Sequence, residues 1–529
     1  MTPGSDAERY CGADLAVRAL ETGGVRLCFG NPGTSEMAFV SALDRCDALR
    51  AVLCLDEGVT TAAADGYARM TGLPAATLLH LGPGLANGST NLHNARRARS
   101  PLVNIVGDHA TTHVPCDAPL QSDIEALAGW SSGWVRRVAA VETISADVAA
   151  AVAAARQPPG QVATLILPGD FSWSPAPADI PIPAAETLAA AVPDEAVLAQ
   201  VAELLRRHGR RAALHLGGSA LHEAGLWQAG RIAAATGARL IHDTFTARVD
   251  RGAGRVPVQR IPYFAEEATA FLADLACLVG VGTRPPVSFF AYPGRPSEMA
   301  PTDALFEVFT DPAQDGTAAL AALADSLGAP AAPAVLADYN VAGEEQEGGF
   351  DHFAIGRILA RHLPEQAIIA DDGVTAGFGS YQAFATTVPH THLFLTGGAI
   401  GIGLPLAVGA ALGAPGRRVV SLNGDGSAMY NLQALWTQAR EQLPIVNIVF
   451  ANRAYRILDI EAERIGARLP LGPKARSLID LTSPALDWVK IAGGMGVAAS
   501  CAEDAAAFEA QLVDALAQST PTLIEAVIP

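Results

Sequence analysis

Short apolar runs rich in β-branched residues alternate with longer stretches of helical periodicity along the chain. Three groups of runs occur: VRLCFG, AVLCL, AATLLHL, LVNIVG and ATLILP; then RAALHLGG, ARLIHD and LACLVGVG; then QAIIADD, RRVVSLNGDG and IVNIVFANR. Strands that alternate with helices are typical of parallel sheets with helices on both faces. The pattern therefore predicts an α/β protein with doubly wound parallel sheets.

Two segments rich in alanine and proline interrupt this alternation, at residues 174–193 and 328–349. Proline disrupts both helices and sheet ladders, so we interpret these segments as linkers. A chain of 529 residues is also too long for one hydrophobic core. We therefore predict three doubly wound parallel-sheet domains, at residues 1–175, 190–330 and 350–529.

Composition narrows the class of protein. Half of the residues are hydrophobic, 17% are charged, and the formal net charge is −18. This acidic chain has no basic stripe, which argues against nucleic acid and anionic membranes as partners. The seven cysteines form no CxxC pair, which favours reduced thiols. There is no signal-like N-terminus and no run of about 18 apolar residues, so we expect a cytoplasmic protein.

The segment SLNGDGSAMYNL places Asp425 between two glycines where a strand meets a helical pattern at residues 427–441. The next strand ends at Asn452. Neighbouring parallel strands lie about 4.8 Å apart, so both side chains can reach one ion. Carboxylate, amide and carbonyl oxygens suit Mg²⁺, and N–H groups at a helix start favour phosphate. The segment predicts a site for Mg²⁺ and a diphosphate, although Gly-Asp-Gly alone could be an ordinary turn.

The longer stretch GDGSAMYNLQALWTQAREQLPIVNIVFANRAY resembles the thiamine-diphosphate motif of the benzoylformate decarboxylase and acetolactate synthase superfamily. The resemblance implies thiamine diphosphate and Mg²⁺ as cofactors. It also implies three domains: a pyrimidine-binding domain, a central Rossmann-like domain and a diphosphate-binding domain. The implied metal ligands are Asp425, Asn452 and the carbonyl of Ala454. The implied diphosphate contacts are Gly426, Ser427 and, in the segment DDGVTAG, Thr375, and Tyr455 is a further implied cofactor-binding residue.

Two further segments resemble the parts of the family that hold the aminopyrimidine. In TGGAIGIGLP, Gly398 would offer its carbonyl to the 4′-amino group, and Ile400 would hold the cofactor in its V shape. In LCLDEGVTTAAADGYARMTG, Glu57 matches the glutamate that hydrogen-bonds N1′ and promotes formation of the C2 ylid. From the residues alone, a helix-start carboxylate stabilised by the dipole is the alternative. In the family, the N-terminal part that carries this glutamate and the C-terminal part that carries the metal and diphosphate site meet between chains, which implies a homodimer or homotetramer.

Histidines supply candidate groups for proton transfer. His80 follows Glu57 by 23 residues, the spacing of the active-site histidine in benzoylformate decarboxylase, and imidazole suits this role. Further candidate catalytic residues are His113, in GDHATTHVPCDAPL, and Thr34, in NPGTSEM. From the local sequence alone, a structural histidine at a strand end is the alternative for His80. We assign a structural role to His93.

Two departures from acetolactate synthases concern the substrate. Those enzymes have Phe-Gln where this chain has Pro119-Leu120, and an Arg-Phe-Asp segment supporting FAD where this chain has TRPPVSFFAYPG. Both departures argue against acetolactate synthesis and against FAD. In this chain Phe290 or Ala291 takes the place of the second active-site histidine of benzoylformate decarboxylase. This replacement also weakens the assignment as a decarboxylase. An apolar pocket suited to an aryl or branched side chain would be formed by Pro119, Leu120, Ile457 and Leu458.

The resemblance as a whole implies a thiamine-diphosphate-dependent 2-oxo acid decarboxylase or carboligase that works through the ylid and an enamine. Its expected partners are a small-molecule 2-oxo acid and further copies of the chain. Three alternatives stay open: acetolactate synthase, a 2-hydroxyacyl-CoA lyase, and a non-catalytic paralogue. No basic pocket for CoA is evident in the sequence, and the intact Glu57, Asp425 and Asn452 argue against a non-catalytic protein.

Overall fold

A computed structural model describes residues 10–341 and 349–529 of the protein. The predicted linker at 328–349 includes residues 342–348, which lie outside these ranges. By contacts the chain divides into two compact units that interleave along the sequence. Unit 1 comprises the described part of Met1–Leu188 with Thr396–Gly416 and Asn431–Leu443. Unit 2 comprises the described part of Ala189–Leu395 with Arg417–Tyr430 and Pro444–Pro529.

Strands and helices alternate along the chain, as the apolar pattern predicts. The strands are β1 (Leu27–Asn31), β2 (Arg50–Leu53), β3 (Ala75–Leu79), β4 (Leu102–Asp108), β5 (Trp134–Arg137), β6 (Val162–Pro168), β7 (Ala212–Leu216), β8 (Arg239–His242), β9 (Val249–Arg251), β10 (Gln259–Arg260), β11 (Cys277–Val281), β12 (Leu305–Thr310), β13 (Ile368–Asp372), β14 (His390–Phe394), β15 (Val419–Gly424), β16 (Ile445–Ala451), β17 (Ala498–Ala502) and β18 (Thr522–Val527).

The α-helices are α1 (Gly12–Thr22), α2 (Met37–Leu43), α3 (Glu57–Thr71), α4 (Leu81–Ala98), α5 (Ile124–Ser131), α6 (Ile144–Arg156), α7 (Gly169–Trp173), α8 (Glu195–His208), α9 (Glu223–Thr236), α10 (Ala265–Leu272), α11 (Gly316–Ser326), α12 (His352–His362), α13 (Gly377–Ala383), α14 (Gly403–Gly413), α15 (Asp425–Ala428), α16 (Ala434–Arg440), α17 (Arg456–Arg464), α18 (Pro473–Arg476), α19 (Trp488–Gly494) and α20 (Ala505–Ala517). Short 3₁₀ turns lie at Thr34–Glu36, Val114–Cys116, Val141–Thr143, Gly209–Arg211, Gly218–Leu221 and Phe384–Thr386. Among the described residues, none of the helices combines the length and apolar character needed to cross a bilayer.

The sheet of unit 1 is parallel, and its strands lie in the order β2-β1-β3-β4-β6-β5. The strand that follows β1 along the chain lies on one side of it, and β3 lies on the other. Parallel sheets of this kind bind ligands at such a topological switch point, beyond the carboxyl ends of the strands. The carboxyl ends of β1 and β3 are therefore the expected place for a site in this unit.

Helices α3 and α14 cross closely within unit 1. A Cβ at Gly66 of α3 would collide with the carbonyl of Leu406, and a Cβ at Gly409 of α14 would collide with the carbonyl of Ala63. The two backbones therefore meet because both positions are glycine. This crossing fixes the loop before α14, which carries Gly398, within the unit that contains Glu57.

Unit 2 contains two sheets within the described residues. The first has the order β10-β8-β7-β11-β12, which is the Rossmann-like arrangement predicted for the central part of the chain. The second has the order β17-β18-β16-β15-β13-β14-β9 and is parallel except for β9, which pairs antiparallel with β14. Without β9, this sheet repeats the strand order of unit 1, and its switch point lies between β13 and β15. The predicted α/β class with three parallel sheets is confirmed, whereas the domain boundaries stay a prediction.

The single helix predicted at residues 427–441 is wrong. The chain forms the short helix α15, leaves helical structure near Asn431, and resumes as α16. The Asn431 side chain is buried and donates a hydrogen bond to the Gly401 carbonyl at 2.8 Å. This tertiary hydrogen bond holds Asn431 at the point where the chain leaves helical structure. The four-residue α15 also weakens the argument from a helix start to phosphate binding.

Candidate active site

The first candidate group surrounds Glu57 at the carboxyl edge of the unit 1 sheet. Asp56 caps α3 by accepting a hydrogen bond from the Gly58 N–H at 2.6 Å, so that Glu57 begins the helix. Glu57 is only 7% exposed. Its Oε1 accepts from Asn31 Nδ2 and its Oε2 from Asn87 Nδ2, each at 3.1 Å. The two amides fix the plane of this carboxylate.

His80 lies at the end of β3, where the sequence pattern predicts it. Leu81, the next residue, has φ +51°, a left-handed conformation that leucine rarely adopts and that is typical of functional turns. The Nδ1–H of His80 donates to Glu36 Oε2 at 2.8 Å, because a carboxylate can only accept. Glu36 also accepts from the Gly33 N–H and the Ser35 hydroxyl. This arrangement holds a proton on Nδ1 and leaves Nε2 as the nitrogen that can exchange a proton.

Sequence reasoning misses Glu36, Asn31 and Asn87. Glu36 is only 3% exposed and rests against Gly107 at the end of β4, where a Cβ would collide with Glu36 Oε1. The available signal was the polar segment NPGTSE directly after an apolar run. A polar segment after a strand does not reveal which member is buried, so only the fold identifies Glu36 as the partner of His80.

The loop between β14 and α14 carries the two residues predicted to hold the aminopyrimidine. Gly398 has φ +75°, which favours glycine, and its carbonyl accepts no hydrogen bond from residues 10–341 or 349–529. Ile400 is half-buried two residues further on. His93 donates from Nε2 to the Gly397 carbonyl at 3.1 Å, a structural contact of the kind predicted for it.

The remaining predicted residues of unit 1 are less enclosed. Thr34, His113 and Pro119 are exposed, and Leu120 is 38% exposed. The His113 ring packs edge-on against His109, with 5.3 Å between centroids. In the described parts of the chain, no hydrogen bond or ring contact joins His113 to His80. The structure thus brings Glu57 and His80 to one sheet edge and leaves His113 on a separate exposed segment.

The second candidate group surrounds Asp425 in unit 2. Asp425 directly follows β15, and Asn452 directly follows the neighbouring parallel strand β16. Asp425 is 3% exposed; Oδ1 accepts from the Gly426 N–H at 2.8 Å and Oδ2 from the Arg453 N–H at 2.6 Å. Burial raises the pKa of Asp425 above its ordinary value, and these N–H groups partly oppose that shift. A carboxylate whose charge is disfavoured by burial is a suitable ligand for a cation.

The donor set at this edge fits Mg²⁺. Asn452 Oδ1 accepts from the Ala454 N–H at 3.1 Å, and the Tyr455 ring packs over Gly426, where a Cβ would collide with it. The described residues contain no group of three or more His, Cys, Asp and Glu side chains that could hold a metal. Oxygen from an amide, a backbone carbonyl and a phosphate would therefore have to complete the shell, which suits Mg²⁺. Ser427 is buried beside this group.

Thr375 lies in the turn after β13, across the switch point from Asp425. Val374 before it has φ +48°, a conformation that strains a β-branched residue. Asp371 at the end of β13 accepts from the Gly373 N–H and from His392 Nε2, each at 3.0 Å. These bonds hold the turn in its strained form, as is typical of ligand-binding turns.

The two other predicted pocket residues lie in the first turn of α17, directly after Tyr455. Ile457 is half-buried and Leu458 is 46% exposed. Further along α17, Glu461 accepts from the Tyr292 hydroxyl at 3.0 Å. Phe290, close to Tyr292 in the chain, is 53% exposed. Both pocket residues of unit 2 therefore present apolar surface next to the Asn452–Tyr455 loop.

Comparison with known proteins identifies the family. The profile "Thiamine pyrophosphate enzyme, N-terminal TPP binding domain" matches residues 11–128, and the profile "Thiamine pyrophosphate enzyme, C-terminal TPP binding domain" matches residues 377–526. The chain is 49% identical over 522 residues to a Mycobacterium tuberculosis protein provisionally named acetolactate synthase large subunit IlvX, with 98% of this chain and 99% of that protein covered. The chain belongs to the thiamine pyrophosphate enzyme family.

The chain is also similar, in sequence or in fold, to other thiamine pyrophosphate (thiamine diphosphate) enzymes. The chain is 30% identical over 528 residues to benzoylformate decarboxylase of Pseudomonas aeruginosa, covering 95% of this chain and 96% of that protein. A thiamine diphosphate-dependent 4-hydroxybenzoylformate decarboxylase from Rhodococcus jostii RHA1 shares the fold, with a TM-score of 0.84, 24% identity and 98% of each chain covered. The predicted family is confirmed: this is a thiamine-diphosphate-dependent enzyme related to acetolactate synthase and benzoylformate decarboxylase.

Proposed function

We propose that this enzyme uses thiamine diphosphate and Mg²⁺ to act on a 2-oxo acid with an aryl or branched side chain. Loss of carbon dioxide would leave an aldehyde or a product joined to a second carbonyl compound. The observation that carries the proposal is the unit 1 sheet edge, where Glu57 and the Glu36–His80 pair lie at the switch point. When bound, the cofactor supplies a carbon nucleophile that adds to the ketone and accepts the electron pair released with carbon dioxide.

The pyrimidine part of the cofactor would be held by Glu57, Gly398 and Ile400. Glu57 would share a proton with ring nitrogen N1′, and the buried position of its carboxylate supports this role. Gly398 would accept a hydrogen bond from the 4′-amino group through a carbonyl that accepts none within the described chain. Ile400 would support the bent form of the cofactor by contact with its apolar side chain.

The diphosphate and metal would be held by residues of unit 2. The buried Asp425 carboxylate and the strand-end position of Asn452 support this assignment. The proposed metal ligands are Asp425, Asn452 and the Ala454 carbonyl. The proposed diphosphate contacts are Thr375, Gly426 and Ser427, and Tyr455 is a further proposed cofactor-binding residue.

Proton transfer to and from the substrate would fall to His80. Its Nδ1–H is committed to Glu36, so Nε2 is the atom that would donate a proton to, or accept one from, a substrate oxygen or carbon. Thr34 and His113 would assist from exposed positions in unit 1. An apolar pocket disfavours the substrate carboxylate relative to the transition state that loses its charge. The proposed pocket residues are Pro119, Leu120, Ile457 and Leu458.

We also propose the domain division and the assembly that the resemblance implies. Residues 1–175 would bind the pyrimidine, residues 190–330 would form the central domain, and residues 350–529 would bind the diphosphate and Mg²⁺. A homodimer or homotetramer would then place Glu57 of one chain opposite Asp425 of another. Sites shared between chains explain why the two groups of residues are far apart in sequence.

Acetolactate synthesis from pyruvate is the second candidate. It is favoured by the 49% identity to a protein provisionally named as an acetolactate synthase large subunit. The Pro119-Leu120 pair, in place of Phe-Gln, argues against it. The two candidates differ in substrate and product, so one experiment separates them.

The test is incubation of the purified enzyme with thiamine diphosphate, Mg²⁺ and separate 2-oxo acids, with carbon dioxide release and product identity measured. We expect an aldehyde from benzoylformate or from a branched 2-oxo acid, and far less turnover of pyruvate. Acetolactate from pyruvate would instead establish the second candidate. If no 2-oxo acid releases carbon dioxide, the proposal is wrong and CoA thioesters become the next substrates to test.

A further inference from the structure

The loop that carries Gly398 is held by a buried side chain of α4. Asn94 is wholly buried, and its Oδ1 accepts from the Gly397 N–H at 3.0 Å. Its Nδ2 donates to the Ala399 carbonyl at 2.8 Å. One side-chain amide therefore bonds the N–H of the residue before Gly398 and the carbonyl of the residue after it.

A second amide fixes the orientation of the first. The other Nδ2 hydrogen of Asn94 points to Asn91 Oδ1 at 3.0 Å, and Asn91 Nδ2 donates to the Gly58 carbonyl at 2.9 Å. Carbonyls only accept and N–H groups only donate, so neither amide can be turned over without breaking these bonds. The loop is thus tied to the first turn of α3, which begins at Glu57.

The Gly398 carbonyl lies between these fixed points. The Gly397 carbonyl is held from the other side by His93 Nε2 at 3.1 Å, and the His93 ring stacks on Trp130. Gly398 itself, at φ +75°, has an intrinsically permissive backbone, so its conformation must be set by the neighbouring peptides. Fixing both neighbours fixes the direction in which the Gly398 carbonyl points.

We propose that Asn94 is a positioning residue for the cofactor's aminopyrimidine, because it aims the Gly398 carbonyl at the 4′-amino group. The inference rests on the proposed function, in which that carbonyl accepts this hydrogen bond. A merely structural Asn94 would stabilise the fold but would leave cofactor affinity and activation unchanged. An Asn94 variant therefore separates the two roles: a positioning role predicts a change in cofactor affinity and activation, and a structural role predicts a change in stability alone.

A matched control exists in the same unit. Asn104 on β4 is also wholly buried; its Oδ1 accepts from the Thr77 hydroxyl at 2.7 Å and its Nδ2 donates to the Thr164 hydroxyl at 3.0 Å. These partners belong to the flanking strands β3 and β6, not to the Gly398 loop. Asn104→Ala therefore removes a buried amide of the same kind without touching the loop.

The experiment compares Asn94→Ala, Asn104→Ala and the unaltered protein with Mg²⁺ present throughout. The dissociation constant of thiamine diphosphate is measured by calorimetry, and exchange of its C2 proton with deuterium is measured by NMR at saturating cofactor, without substrate. For Asn94→Ala we expect an affinity roughly tenfold weaker and exchange roughly tenfold slower, the effect of losing about one buried hydrogen bond. For Asn104→Ala we expect a lower unfolding temperature but both quantities within about twofold of the unaltered protein.

Equal affinity and exchange in Asn94→Ala and Asn104→Ala would overturn the inference. If Asn94→Ala does not fold, Asn91→Ala is used instead; it removes the bond that orients Asn94 and the bond to the Gly58 carbonyl but keeps Asn94 itself, so both quantities should still change, and no change would overturn the inference. An unaltered protein that neither binds thiamine diphosphate nor exchanges the proton would overturn the proposed function instead. The two failures are thereby distinguished.

Discussion

Replacement of Glu36 by glutamine tests whether the buried Glu36–His80 pair governs proton transfer. Glutamine has the same shape, so its oxygen can take the Oε2 position and accept from the Gly33 N–H and from His80 Nδ1–H. Its NH₂ can then donate to the Ser35 oxygen, which lies 2.6 Å from Glu36 Oε1. The bonds from the Gly33 N–H and His80 Nδ1–H are kept and only the Ser35 hydroxyl loses its acceptor, so the variant should fold, and the main perturbation is the loss of one negative charge.

The size of the effect follows from the kind of hydrogen bond that is lost. A bond to a charged group contributes about 1.5–3 kcal/mol and a neutral one about 0.5–1.5 kcal/mol, a difference of about 1–2 kcal/mol. Since about 1.4 kcal/mol corresponds to a factor of ten, kcat should fall roughly 5- to 30-fold. If the amide turned over, it would donate to Nδ1 and move the ring proton of His80 to Nε2. The matching change in a Ser-His-Asp triad lowers kcat by about 10⁴.

The assay is steady-state turnover of the best 2-oxo acid, with cofactor affinity and C2 proton exchange measured alongside. Glu57 and Gly398 are untouched, so affinity and exchange should stay unchanged while turnover falls. Asp14→Asn is the control: Asp14 is 3% exposed and paired with Arg45, so its replacement costs stability without reaching His80. Unchanged turnover in Glu36→Gln, or an equal loss in both variants, would refute the reasoning.

Three further predictions concern the other parts of the site and the fold. Asp425→Asn should abolish the stabilisation of about 2.7 kcal/mol that thiamine diphosphate and Mg²⁺ give at 100 times the dissociation constant, which scanning fluorimetry with and without the cofactors measures. Glu57→Gln should slow C2 proton exchange and turnover together by roughly 100-fold or more, and normal turnover would contradict the proposed role. Gly409→Val should force a side chain against the Ala63 carbonyl and lower stability by about 1–3 kcal/mol, whereas Gly472→Ala, in open space, should not.

Four candidate site residues could be chosen from the sequence, with the family resemblance adding to the pattern for Glu57 and His80, because each lies at or within a few residues of the end of an apolar run. Glu57, His80, Asp425 and Asn452 all take this position, and parallel sheets carry their ligands at strand ends. A run of β-branched residues is visible without a structure, and so is the polar residue that follows it. These positions could thus be predicted from the sequence without knowing which strands are neighbours in the sheet.

Residues that act through tertiary contacts could not be located in this way. Asn94 lies in the C-terminal third of α4, and its partners Gly397 and Ala399 are about 300 positions away. Glu36 is recognisable only once β1, β3 and β4 are known to be neighbours. Short strands such as β9 and β10 carry too few apolar residues to stand out, and the contact of Asn431 with Gly401, which lies at the break between α15 and α16, is visible only in the fold.

The unit 1 sheet and the seven-stranded sheet of unit 2 share one strand order, and the predicted site residues of both lie at the same kind of switch point. The backbone gives independent support for these positions. Leu81 follows His80, Val374 precedes Thr375, and Arg453 follows Asn452; each has a positive φ, although none is glycine. Such a conformation costs about 1–2 kcal/mol per residue, so it persists only where surrounding contacts require it. Sequence periodicity contains no information about this strain. Three strained residues lie directly beside His80, Thr375 and Asn452, which supports the site proposed here, whereas Arg99, Gln366 and Gln442 have a positive φ away from it.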